Sequence, residues 1–377
     1  MIEFLVGAFS VLAVRAGKIV KTLKKKRDIP SSAIEHCRRV SKRTTEILAS
    51  INNKQDVLLQ IQDRLKAKKI TLSQIDGLLK DVLKAYRDLR RDIDIIEEDF
   101  VGHIVRYNKA DRFFTQLASA LWKETNLPDI PPVAVTNTSG YFCTLADLGI
   151  VFSPPSSEHH LLIVPDLYHE FGHILHKSLK IKLFGKRFSA ELTSHVVSLK
   201  NQIRQTSRPL KPETISDIAF RWINSWAEEV ACDALATYLL GPAYGWCNLH
   251  LCLQVSNVFE SGNKHPADAA RTKQILKILR RRGFNDDASK IEKLWNKYLQ
   301  LSRQTSTSYY HDYHPDSLFT AIMEDVEHAI KDHGLSNAID RPTIDILNES
   351  WKQFLESPSD YKTWEERAIA TLKENFV

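Results

Sequence analysis

The chain has 377 residues, 43% of them hydrophobic, with only 13 glycines and 14 prolines. That composition excludes a disordered or collagen-like chain and favours helix over a turn-rich β fold, in two domains or one large one. The formal charge of +6 is local: residues 15–43 hold eleven lysines and arginines against two acids, so the rest sums to about −3 and no nucleic-acid partner is expected.

The five cysteines, an odd count without a C-x-x-C pair, predict a reducing, cytoplasmic setting and no disulfide framework. Residues 1–14 are an apolar run containing Glu3, followed by Arg15, Lys18, Lys21 and the basic cluster Lys24–Arg27. The run is shorter than the roughly 20 residues of a membrane span, and its charge follows the apolar stretch where a secretory signal carries it in front. Residues 1–30 therefore fit a first helix packed on the body, an interfacial anchor making peripheral membrane contact through residues 1–27, or a marginal insertion.

Residues 31–127 predict a helical hairpin domain. Ser32 with Glu35 forms a capping box before Ile34, Ile47, Ile51, Leu58 and Ile61, and Thr71 with Gln74 opens a return helix through Ile75, Val82, Ile93 and Phe100. Another helix covers 109–125, and Pro128, Pro131 and Pro132 mark a domain boundary. Three short β-branched or aromatic runs, 133–136, 141–144 and 149–153, read as strands separated by turn residues such as Asn137, Ser139 and Gly140. The run 149–153 is the candidate edge for main-chain pairing with an extended peptide. Helices follow at 190–205, 214–240 (stopped by Gly241-Pro242), 246–260 and 266–302, with loops at 206–212 and 305–315. The last helices are expected at 316–333 and 341–375. The predicted fold is mainly α (α+β): a core over 128–304 and a helical extension over 305–377.

Chemistry concentrates in His169-Glu170-Phe171-Gly172-His173, opened by Pro165 and Asp166. His169 and His173 lie one turn apart on one helical face and can share a metal ion. Glu170 is rotated off that face and is left to act as general base on a water. A second stretch, Trp226–Ala236, sets Glu229 and Asp233 one turn apart among Ala227, Val230, Ala231, Ala234 and Leu235. Unpaired carboxylates are costly on so apolar a helix, which argues against a solvated acidic face. Glu229 supplies the third ligand that leaves a tetrahedral zinc one open position, and Asp233 accepts the free ring N–H of a ligand histidine. His176 is about 10 Å along the helix from His169, too far for the same ion. His159 and His160 read as solvated loop residues. The cluster Tyr309–His314 is a candidate cleft lining or second oxyanion donor.

These two stretches, with His265-Pro266 and Arg271 six residues after the histidine, resemble the gluzincin peptidases, and the last piece is similar to the integral-membrane branch that includes the CAAX prenyl protease and the HtpX heat-shock protease. The resemblance implies that His265 donates a hydrogen bond to the tetrahedral intermediate and that Arg271 helps hold the site. This chain lacks that branch's long apolar spans. The stretch Glu229–Ala236, with Leu239-Leu240-Gly241-Pro242, also resembles the soluble ImmA/IrrE-type metallopeptidases, which cut repressors in stress and phage regulation; there the second histidine and the glutamate are usually closer than the 56 residues here. Both resemblances imply a zincin-like core, one Zn2+ per chain and a protein or peptide substrate. The expected function is thus zinc-dependent hydrolysis of peptide bonds. The alternatives are a regulatory protease of a specific repressor or partner, on the membrane if residues 1–27 hold it there, and a non-catalytic scaffold with a structural zinc. A structural site would fill all four positions, often with thiolates, and no cysteine here falls in a ligand-like pattern.

Overall fold

The computed structural model describes residues 2–25, 29–136, 141–154, 159–205, 212–255, 257–306, 309–335 and 341–376. The expectations for Lys26 and Arg27, for the turn at 137–140, for most of the loop 206–212 and for residues 307–308 of the loop 305–315 lie outside them. The chain is mainly helical with three short strands, and it divides into two compact units: Met1–Thr115 with Pro132–Thr136, and Gln116–Pro131 with Asn137–Val377.

In the first unit α1 (Ile2–Lys25) packs along α2 (Ser31–Lys66) and against α3 (Leu72–Ile95). Leu5, Phe9, Leu12, Ala16, Ile19 and Leu23, spaced alternately four and three apart, form the buried stripe that makes this first segment a packed helix. Phe9 meets Tyr86 edge to face at 5.3 Å, and Arg15 is held by Asp94 at 2.7 Å and Glu97 at 2.9 Å. No helix among the described residues is long and apolar enough to cross a membrane. The second capping box forms, with the Thr71 N–H donating to Gln74 at 2.7 Å. The first does not: α2 starts two residues early, behind Pro30, and Glu35 accepts from Arg38 instead. A π-helical turn, Ile96–Val101, joins α3 to α4 (Gly102–Arg106). The helix α5 (Lys109–Glu124) begins in this unit, where Thr115 and Asp111 hold the backbone of β1 (Val133–Thr136) at Ala134 and Thr136.

In the second unit β2 (Cys143–Leu145) pairs antiparallel with β3 (Ile150–Ser153), Thr144 opposite Val151. All four residues of β3 are buried, so it is a core strand and not the accessible edge expected for 149–153; β2 is the more exposed of the two. An apolar β-branched run reads alike in both settings, because periodicity reports side-chain faces and not which backbone groups are covered.

The helices follow as α6 (Leu167–Lys177), α7 (Lys186–Gln205), α8 (Pro212–Arg221), α9 (Ala227–Leu240) and α10 (Pro242–Cys252). After them come α11 (Asp268–Arg281), α12 (Asn285–Ser302), a single turn α13 (Tyr310–Tyr313), α14 (Asp316–Asp332), α15 (Pro342–Glu356) and α16 (Tyr361–Asn375). Two expected helices are each broken in two. Gly283, at φ +87°, turns the chain between α11 and α12, and the segment with Pro358 separates α15 from α16.

Every residue of α9 except Glu228 is buried, as expected of a helix that is apolar all round, and α6, α10, α11 and α14 pack about it. The crossing of α6 and α9 is close because Gly172 has no side chain. A Cβ there would lie 2.7 Å from Cys232 Sγ and 3.0 Å from its Cα. Ahead of α9 the helix widens into a π-helical turn, Trp222–Trp226, which aims two buried tryptophans at neighbouring loops. Trp222 donates to the Tyr313 carbonyl at 2.9 Å, and His314 stacks on Trp226 at 5.1 Å. Of the cluster Tyr309–His314, Tyr313 and His314 thus pack on the tryptophans, and Ser261 lies 2.7 Å from His314, while Tyr309 and His311 are exposed.

Two stability predictions follow from this packing. Gly172→Ala should cost about 1–3 kcal/mol by overpacking the crossing, read as a lower midpoint in urea denaturation with an unchanged slope. Burial, helped by the charge of His311, pushes His314 from 6.5 down to about 3. Between those values the unfolded chain takes a proton that the folded one refuses, so His314 costs the fold stability as pH falls below 6.5. His314→Phe should therefore flatten the fall in denaturation midpoint between neutral pH and pH about 4, relative to wild type.

Candidate metal centre

The close α6–α9 crossing sets two helical rows face to face. On α6 the row is His169, His173 and Lys177; on α9 it is Glu228, Glu229 and Asp233. Each imidazole is held at Nδ1 by its own carboxylate, His169 by Asp233 at 2.9 Å and His173 by Glu228 at 2.5 Å. A carboxylate only accepts, so Nδ1 carries a proton in both rings and Nε2 is the atom each ring turns toward a metal.

Those Nε2 atoms converge on one point. They lie 3.2 Å apart; Glu229 Oε2 is 3.1 Å from that of His169, and Glu229 Oε1 is 3.6 Å from that of His173. A tetrahedral ion with bonds of about 2.0–2.1 Å separates its ligand atoms by about 3.3 Å, so the spacing fits one small divalent cation. The three residues are buried and offer ligand atoms all within 4.8 Å of one another. The donor set is thus one that can bind a metal ion.

Asp233 is wholly buried and fully engaged. It accepts from His169, from the Tyr244 hydroxyl at 2.6 Å and from Arg271 twice, at 2.6 and 2.8 Å. Burial alone would raise its pKa, but Arg271 outweighs it and holds the carboxyl well below the usual range. Against the same cost of burial, His169 brings Glu229 down to about 2. His169 itself is raised despite burial by Asp233 and Glu229, so a cation entering the site displaces a proton from Nε2.

Glu170 differs from all of these. It is 6% exposed, burial pushes its pKa up to about 8, and among the described residues no side chain donates a hydrogen bond to it. Its carboxyl is without a side-chain donor and close to neutral pH in affinity for a proton, a property that general bases share.

Of the remaining expected residues, His265 is brought to the site, with Nε2 3.3 Å from Glu229 Oε2 and a half-exposed ring. Its loop is fixed by the π-helical turn: Trp226 and Arg221 donate to the Gly262 carbonyl at 3.2 and 3.1 Å, and Ser225 to that of Asn263 at 3.0 Å. Arg271 touches Asp233 and stands behind His169, so it positions a ligand and faces no reacting atom. His176 stacks on Phe184 at 4.8 Å, and His159 and His160 are exposed.

Glu228, Lys177 and Tyr244 were not singled out by sequence. Lys177, one turn beyond His173, binds Glu228 at 2.7 Å, so α6 supplies both partners of that acid. The available signal is the acid beside Glu229, on the turn that must face His173 once Glu229 faces both rings. Glu228→Ala should weaken divalent-metal binding about 10- to 100-fold, measured by competition with a chromogenic chelator, while far-ultraviolet circular dichroism stays unchanged. No protein-family model, curated protein or solved structure matches the chain, so a functional assignment rests on the chemistry of this centre.

Proposed function

We propose that this chain is a zinc-dependent metalloendopeptidase of gluzincin type. Zinc would be held by His169, His173 and Glu229, with its fourth position open to water and to a peptide carbonyl; bound there, it supplies Lewis-acid polarisation. The observation that carries the proposal is the pairing of two opposites at one helix crossing: three converging ligand atoms from α6 and α9, and, one residue after His169, the buried carboxyl of Glu170 without a side-chain donor.

Each residue then has a distinct task. Glu170 takes the proton of the attacking water and delivers it to the leaving amine, a shuttle suited to a carboxyl whose pKa is raised to about 8. Burial keeps His265 below its ordinary pKa, and its neutral ring, half in solvent at the mouth of the site, is placed to donate an N–H toward the oxygen on which charge develops. Asp233 and Glu228 hold the tautomers of the two ligand rings, and Arg271 with Tyr244 holds Asp233. Zinc is favoured over a harder cation by two imidazoles and one carboxylate. Among the described residues the group offers three buried ligands, two imidazoles and a carboxylate with no thiolate, a set of the kind that catalytic zinc takes.

Glu170→Gln separates binding from chemistry. The variant should retain one zinc per chain by elemental analysis while its cleavage of unfolded casein falls about a hundred- to ten-thousand-fold. His169→Ala should lose both. Full peptidase activity in Glu170→Gln would overturn the assignment of the base, and a wild-type chain that takes up no zinc would overturn the assignment of the site.

A further inference from the structure

The helix α1 buries one face and leaves the opposite one bare. Its exposed positions include Phe4, Gly7, Val11, Val14, Lys18, Lys21 and Lys25, alternately three and four apart, so they form one stripe along the helix. Phe4 is 73% exposed, Val11 63% and Val14 58%. Packing within the helical array does not account for them, because α1 contributes to that core through Leu5, Phe9, Leu12, Ala16, Ile19 and Leu23 on the other side. The stripe is divided along its length: apolar from Phe4 to Val14, cationic from Lys18 to Lys25. The one acid beside its apolar half, Glu3, accepts a hydrogen bond from Gln62 at 3.0 Å.

We propose that this stripe docks on an anionic lipid bilayer, Phe4, Val11 and Val14 entering the boundary between headgroups and acyl chains while Lys18, Lys21 and Lys25 lie over acidic headgroups. The charge pattern selects this occupant. A second copy docked in parallel would set lysine against lysine. An antiparallel copy would set Phe4 and Val11 against Lys25 and Lys18. A bilayer surface offers an apolar layer and a negative layer side by side, and the stripe matches both. The contact is peripheral, since α1 is too polar to span. It is independent of the peptidase assignment.

The test is co-sedimentation of the full chain with vesicles of phosphatidylcholine alone or mixed with phosphatidylserine. Wild type should bind the mixed vesicles, release in high salt and bind neutral vesicles weakly. Lys18→Glu/Lys21→Glu should lower the partition coefficient at least about twentyfold, each lysine near the surface counting for about fivefold. Phe4→Ser/Val11→Ser/Val14→Ser should lower it about tenfold or more, with circular dichroism unchanged because all three sites are exposed. The proposal is overturned if wild type ignores phosphatidylserine, if neutral vesicles bind as well, or if neither variant weakens binding. It is equally overturned if sedimentation velocity shows a dimer that the triple substitution dissolves, for then a second copy is the occupant.

Discussion

The candidate centre depends on one contact without a side chain. Gly172 sits between His169 and His173 on α6, and Cys232 of α9, by its Sγ first and then its Cα and Cβ, stands where a Cβ at Gly172 would lie. Ligands on one helix need only the 3.6-residue turn; ligands on two helices need a fixed distance between axes. A larger residue at the crossing would push α9 outward, and Glu229 and Asp233 would leave the imidazoles by the same displacement. The Nε2–Oε2 separation of 3.1 Å and the Nδ1–Oδ1 separation of 2.9 Å are both set by this approach. Metal affinity and helix packing are here one quantity, which is why an apolar, all-round buried helix carries the acids.

Burying so many charges is costly unless each meets its complement. The centre meets that condition by alternation. Arg271 stands behind Asp233, Asp233 behind His169, Glu229 between the two rings, Glu228 behind His173, and Lys177 at the outer end behind Glu228. Positive and negative groups succeed one another across three helices, α11, α9 and α6, and the series ends at the half-exposed ammonium of Lys177. Removing any inner member leaves its neighbour buried and unpaired, so the chain of contacts is cooperative.

What the sequence revealed and what it hid divide along a physical line. His169, His173, Glu229 and Asp233 were legible because each pair lies one turn apart on a helix, and helical period is a property of the chain itself. Glu228, Lys177 and Tyr244 were hidden because their roles depend on how α6 crosses α9, which no period encodes. The same limit explains the strand 150–153: alternation of side chains cannot tell a covered backbone from a free one. For residues 1–25 the misleading quantity was the length of the apolar run. Half of those apolar residues face α2 and α3, and the helix continues on its polar residues to Lys25. The π-helical turn at Trp222–Trp226 escaped notice because one added residue in a helix barely disturbs its hydrophobic pattern, yet it turns Trp226 toward the loop that bears His265 and Trp222 toward Tyr313.

Against this fully paired background the exception acquires weight. A buried carboxyl with no side-chain donor is destabilising, and simple substitutions such as Glu170→Gln or Glu170→Leu would relieve it without touching the crossing or the ligands. Glu170 lies on the same turn as His169, so its position relative to the converging Nε2 atoms is set by the helix and not by a flexible loop. The neighbouring Asp166, itself raised to about 6 by burial, adds negative potential and keeps the proton affinity of Glu170 high. The surroundings therefore raise the proton affinity of Glu170 where they lower that of Glu229 and Asp233, and the helix fixes it beside the candidate ion site. Proton transfer to and from a water, the role proposed for Glu170, makes use of that raised proton affinity.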